Sequence, residues 1–145
     1  MLEEFLGRAK TAPIYQQGWV DVMIDVDRDT NGKAINERLK GERGGGLPWM
    51  VILDPDGKEI VSSNAEADGK NIGGPRSPEE CAWFGEMMRR SRGDKVSEAE
   101  VRTMIDDLED YSAPQRRPRK TPPPPPPAKP ATKPTPLPPG GTPKG

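Results

Sequence analysis

Two kinds of apolar spacing divide the chain. Leu2, Phe5, Leu6 and Ala9 recur every three or four residues, which predicts an amphipathic helix over residues 1–10. Pro13 opens a short turn, Ile14 to Gly18. From Trp19 the spacing changes: Val20, Val22, Ile24 and Val26 alternate with Asp21, Met23 and Asp25, so residues 19–26 are predicted to form a strand. Asn31 is placed to cap a following helix of about ten residues, with Ala34, Ile35 and Leu39 as its inner stripe. Gly41 stops it.

The middle of the chain reads Gly44-Gly45-Gly46-Leu47-Pro48, then the apolar run Trp49 to Leu53. Asp54-Pro55-Asp56-Gly57 turns it, and Lys58 to Ser63 returns. Pro55 presets φ and Gly57 supplies a positive φ, so residues 49–63 read as a β-hairpin. Pro48 lacks a ladder donor and belongs at the first strand residue or a bulge. With three glycines before it, a cis Leu47–Pro48 bond is expected. Residues 64–76 are a loop rich in Gly, Asn and Asp. Ser77-Pro78-Glu79-Glu80 and Ser97-Glu98-Ala99-Glu100 are capping boxes opening two more helices. The first buries Cys81, Phe84 and Met88 with Met87 beside them and ends at Gly93; the second buries Val101, Met104, Ile105 and Leu108. Helix, strand, helix, hairpin, helix, helix predicts an α/β domain over 1–112, a mixed sheet with flanking helices.

Composition separates that domain from residues 113–145. The chain has 22 basic and 23 acidic residues, and residues 114–145 hold seven of the basic ones and no Asp or Glu. The preceding body therefore has 15 basic against 23 acidic residues, a net charge of −8. An acidic body argues against a nucleic-acid-binding fold. The tail's proline run, Pro122 to Pro127, reads as polyproline II, and a tail without apolar clusters is expected to be disordered. One cysteine, Cys81, and no histidine exclude an intrachain disulfide, a Cys/His zinc site and a His-based triad. Met1-Leu2-Glu3-Glu4 is not a signal peptide, and no apolar run approaches membrane-spanning length. Localisation is left open: the chain as written is expected to be cytoplasmic, and a signal peptide upstream of Met1 would make it exported.

The ordered set Val22-Met23-Ile24-Asp25-Val26-Asp27, then a short helix, then Gly46-Leu47-Pro48-Trp49-Met50-Val51-Ile52-Leu53-Asp54-Pro55-Asp56-Gly57-Lys58, then helix 78–92, resembles the thioredoxin-like superfamily. The resemblance implies an incomplete thioredoxin-like fold. Asp27 would end the family's third strand, and residues 46–58 would be its cis-proline loop and hairpin. The family's Trp-Cys-x-x-Cys is absent. Met1-Leu2-Glu3-Glu4-Phe5-Leu6 is similar to the helix segment just after that motif. The resemblance implies a fragment of a thiol–disulfide oxidoreductase that itself lacks the dithiol, with no cofactor.

The family's cis-proline loop pairs with an extended peptide or protein substrate, so the resemblance assigns Leu47, Pro48 and Trp49 to a substrate groove. The alternatives are a proline that only shapes the turn and a non-catalytic peptide-binding module. Cys81 shares a helical face with Phe84 and Met88, the register of an inert buried thiol rather than a reactive one. Asp27-Arg28-Asp29-Thr30-Asn31-Gly32 matches the first half of a calcium loop, with Asp27, Asp29 and Asn31 as ligands. Its twelfth position is Arg38 where a bidentate Glu belongs, so a strand-to-helix turn competes with that reading. Arg119-x-x-Pro122-x-x-Pro125 fits a proline-rich ligand for an aromatic groove, or a spacer. Trp83, Met87 and Met88 read as core or rim packing.

Helix 1–10 has an apolar face in its first turn but no cap before Leu2, whereas two later helices have serine caps. An open reading frame encoding Cys-x-x-Cys within a few codons upstream of Met1 is therefore expected. Sequencing the locus checks this; an in-frame stop just before Met1 would contradict it.

Overall fold

The computed structural model describes residues 1–116 together with 125 and 126. In chain order the helices are α1 (Leu2–Leu6), α2 (Ala12–Gly18), α3 (Gly32–Lys40), α4 (Pro78–Ser91) and α5 (Glu98–Ser112). The strands are β1 (Val51–Leu53) and β2 (Glu59–Ser62), and a 3-10 turn, Ala113–Arg116, follows α5. The chain is thus mixed α and β, as expected.

Both capping boxes form. The Ser77 hydroxyl accepts from the Glu80 amide at 3.1 Å, and the Glu80 carboxylate accepts from the Ser77 amide at 3.0 Å. Ser97 and Glu100 repeat this at 3.1 and 2.8 Å. The inner stripes of α4 and α5 pack together: Cys81, Phe84, Met87 and Met88 against Val101, Met104 and Leu108, all buried. Ile105 is half-buried and lies against Gly85, where a Cβ would approach its Cδ1 to 3.1 Å. Small size at Gly85 lets the two helices approach closely.

Phe5 joins α1 to this pair. It is fully buried, edge-on to Phe84 with ring centroids 6.0 Å apart, and 6.1 Å from the Tyr111 ring. A charged lock lies beside it. Asp107 on α5 is 2% exposed and accepts from Arg8 Nε at 3.0 Å and Nη2 at 2.8 Å. The Thr11 hydroxyl donates to the same carboxylate at 2.7 Å. A carboxylate so buried is tolerated because its lone pairs are satisfied and its charge is matched.

Several expected elements differ. The first helix ends at Gly7, and residues 12–18, expected as a turn, form α2 with Pro13 in its first turn. Proline is compatible with that place because the first-turn amides lack intrahelical partners anyway. Residues 19–26 form no strand. Val20 is 92% and Val22 79% exposed, and among the described residues no strand lies beside them. Alternation satisfies one face of a strand but not its backbone; without a neighbour to close the ladder the segment stays extended and unpaired. The mixed sheet is correspondingly replaced by one antiparallel pair, β1 with β2, in register Val51–Ser62, Ile52–Val61 and Leu53–Glu59 with an irregularity after Ile52. α3 begins after Asn31, which adopts a left-handed conformation but makes no side-chain cap bond. Its expected stripe is only partly covered: Ala34 is exposed, and Ile35 and Leu39 are half-buried.

The 3-10 turn carries described structure past residue 112, to Arg116. Arg116 Nη2 meets Glu109 at 2.6 Å and donates to Ser112 Oγ at 2.9 Å, which ties down the turn containing Pro114. The disorder expected for the remaining tail and the Arg119-x-x-Pro122 motif fall outside the described residues; Pro125 and Pro126 are exposed. Among the described residues, no helix is long and apolar enough to cross a membrane.

The lock gives a pH-dependent prediction. Hydrogen bonds from Arg8, and then from Thr11, outweigh burial and hold the Asp107 carboxyl below the usual carboxylate range. The folded pKa is thus below the unfolded one. The stabilisation is complete above the unfolded value of about 4 and fades as pH falls through the folded one. Asp107→Asn should cost about 2 kcal/mol near neutrality. Urea unfolding of variant and native chains at neutral and acidic pH checks this: the gap should narrow on acidification. A second variant, Phe5→Ala, should cost about 3–5 kcal/mol by cavity formation, read from the same unfolding curves.

Candidate functional site: the Leu47–Pro48 groove

The approach to β1 is shaped by its glycines. Gly45 has φ +97°, and a Cβ there would come within 2.5 Å of the Asn71 Cβ. Only glycine fits both the conformation and the space. The Leu47–Pro48 bond is cis. β1 and β2 are joined by Asp54–Gly57: the Asp54 amide donates to the Lys58 carbonyl at 2.8 Å, and Asp54 Oδ1 accepts from the Asp56 and Lys58 amides. Gly57 has φ +84°.

Three polar residues just after β2 hold the loop from behind. Asn71 Nδ2 donates to the carbonyls of Gly46 at 2.8 Å and Pro48 at 2.9 Å, bracketing Leu47. The Asn71 side-chain oxygen accepts from Ser63 Oγ at 2.7 Å and from the Gly73 amide at 3.1 Å. Ser63, fully buried, accepts from the Met50 amide at 2.9 Å and so links the clamp to the start of β1. Asn64 donates to the carbonyls of Gly44 and Gly69, and accepts from the Trp49 indole at 2.7 Å. Asn64 and Asn71 also bridge to each other as an isolated antiparallel pair.

Leu47 is left outside this network. Its residue is 68% exposed, and among the described residues neither its N–H nor its carbonyl has a hydrogen-bond partner. With Pro48 it lines an open groove of about 450 Å³, completed by Met1, Leu2, Gly73, Gly74, Arg76 and Glu80. Glu80 is occupied by its own helix start, accepting from the Arg76 and Ser77 amides.

Two of the three expected groove residues, Leu47 and Pro48, therefore lie together. Trp49 does not line the groove: its indole turns to Asn64, and the Arg43 guanidinium covers its ring at 5.2 Å. Ser63, Asn64 and Asn71 were not singled out by sequence. Their signal is faint: two asparagines in a glycine-containing loop, which patterning alone assigns to turns.

The other candidate sites are placed as follows. Asp29 spends its carboxylate on the Asp25 amide at 2.7 Å, while Asp25 accepts from the amides of Asp27 and Arg28. Residues 25–32 act as a self-bonded turn, and among the described residues no three His, Cys, Asp or Glu side chains converge to hold a metal ion. Gly32 fits because a Cβ would lie 2.5 Å from the Asp25 carbonyl oxygen. Cys81 is fully buried, its Sγ 3.4 Å from both Ser112 Oγ and Arg116 Nη2. Burial, the chief influence, pushes its thiol pKa up, away from reactivity. Met87 and Met88 are core, and half-buried Trp83 donates to the Ser62 carbonyl at 3.1 Å.

No protein-family model, curated protein or solved structure matches this chain.

The clamp makes a specific prediction. Asn71→Ala removes both bonds to the loop and should destabilise the chain by roughly 1–3 kcal/mol. Exchange of the Met50 amide, which Ser63 of the clamp holds, should accelerate in this variant, with α5 unaffected.

Proposed function

We propose that this chain is a thioredoxin-like module that holds an extended peptide along the Leu47–Pro48 groove, with no thiol chemistry of its own. The observation that carries this is the state of Leu47. Its neighbours' carbonyls are fixed by Asn71, while its own N–H and carbonyl have no hydrogen-bond partner among the described residues. A fixed, unpaired donor and acceptor on one residue match one step of a β-ladder, the way extended peptides add to a protein backbone. The apolar groove wall of Met1, Leu2 and Pro48 offers a place for the side chains on one face of that peptide. A dithiol–disulfide cycle needs two thiols, and the chain has one cysteine, buried.

A second reading is favoured by one observation. Met1 and Leu2 at the start of α1 line the same groove as Pro48. In thioredoxin-like oxidoreductases a dithiol lies just before the helix that α1 resembles. A Cys-x-x-Cys preceding Met1 would face a peptide held at Leu47, and this chain would then be part of a thiol–disulfide oxidoreductase.

Calorimetric titration of the full chain with unstructured, apolar-rich peptides tests the primary reading. Saturable binding is expected, and Leu47→Pro, which deletes the amide donor, should weaken it about tenfold. No binding to the native chain, or equal binding to the variant, contradicts it.

A further inference from the structure

A second concavity lies at the other side of α1. It is an open cavity of about 430 Å³ walled by Glu3 and Leu6 of α1, Tyr15 of α2, and Trp19, Asp21 and Met23 of the extended segment. Its size is that of a small-ligand site. The aromatic wall is built rather than incidental. Tyr15 and Trp19 stack with centroids 5.3 Å apart and planes 13° from parallel. The Trp19 indole donates to Ser91 Oγ on α4 at 2.9 Å, and Ser91 in turn donates to the Met87 carbonyl at 2.7 Å, so the ring is anchored to the core helix. The Tyr15 hydroxyl donates to Asp21 Oδ1 at 2.5 Å, which fixes that carboxylate at the cavity wall.

The charge of the cavity is one-sided. Neither Glu3 nor Asp21 has a basic partner among the described residues, and no Lys or Arg lines the cavity. Some acids elsewhere are paired: Glu66 and Glu86 share Arg90, and Glu98 holds Arg89. Aromatic faces are electron-rich and attract organic cations, most strongly when carboxylates stand nearby. Leu6 and Met23 add apolar surface for the stem that carries such a charge. Met23 is 72% exposed, so the mouth opens to solvent.

We infer that this cavity is a binding site for an ammonium group on an apolar stem, the chemistry of a lysine side chain. Trp19 and Tyr15 form the platform, Asp21 and Glu3 face the charge, and Leu6 and Met23 line the stem. The site is separate from the Leu47–Pro48 groove and does not depend on it. Two sources share this chemistry: a lysine of another polypeptide, and Lys120, Lys129, Lys133 or Lys144 of the chain's own acid-free C-terminal stretch.

The test is an NMR titration of the full chain with Nα-acetyl-lysine amide, read at the Trp19 indole N–H. A saturable shift is expected, with none from the neutral norleucine counterpart. Asp21→Asn should weaken the probe roughly fivefold while leaving the spectrum of the core unchanged. Met23→Lys, which places an ammonium at the mouth, should abolish the shift, whereas Val22→Lys beside it should not. Equal shifts from the neutral probe, undiminished binding by Asp21→Asn, or loss of binding by Val22→Lys as complete as by Met23→Lys would overturn the assignment. Replacing the four C-terminal lysines by Gln separates the sources. A shifted Trp19 resonance before any probe is added supports the site and assigns it to the chain's own lysines. An unshifted resonance with native probe binding supports the site and assigns it to a partner.

Discussion

Both concavities of this chain depend on where α1 is held. Phe5 wedges its ring against Phe84 and Tyr111, and Arg8 and Thr11 close on Asp107. The two attachments differ in kind. Ring burial is non-directional and removes apolar area from water. The Asp107 lock is directional and fixes the rotation of the segment that follows α1. Together they set Met1 and Leu2 at one concavity and Glu3 and Leu6 at the other. A five-residue helix has little stability alone, so its position belongs to its packing rather than its propensity.

The sheet is the complementary weak point. With two short strands among the described residues, β1 and β2 rely on their faces rather than on a broad ladder. Val61 and Ile72 reach the core, and the Trp83 indole from α4 bonds the Ser62 carbonyl. Order in the loop before β1 comes instead from Ser63, Asn64 and Asn71. Those side chains replace a neighbouring strand by donating to, and accepting from, loop backbone. That substitution is what leaves Leu47 bracketed by fixed carbonyls yet unpaired among the described residues.

Legibility in the sequence followed the range of the interactions. The capping boxes at Ser77 and Ser97 are complete within four residues, and the helices they open run as expected, with their stripes buried except at half-buried Ile105. The Asp54–Gly57 turn is equally local, and it forms. Residues 19–26 show the opposite case: their alternation is a request for a neighbour that local sequence cannot supply, and Val20 and Val22 end exposed. α2 was hidden because Pro13 reads as a turn residue unless its place in a first helical turn is known. The cis Leu47–Pro48 bond was legible from the glycine run before the apolar stretch Trp49 to Leu53, while the Asn71 clamp, more than twenty residues away, was not. The same holds for Asp107 and Arg8, which are 99 positions apart.

The central claim is that Leu47 offers its backbone to an extended peptide. The most direct measurement is hydrogen exchange of the Leu47 amide with and without a saturating apolar-rich peptide. The free chain should exchange this amide rapidly, in contrast to the Cys81 amide, which is bonded to the Ser77 carbonyl. Peptide should slow the Leu47 amide strongly while leaving Cys81 unchanged. A Leu47 amide already protected in the free chain, or one whose exchange is unaltered by a peptide that binds, would contradict it.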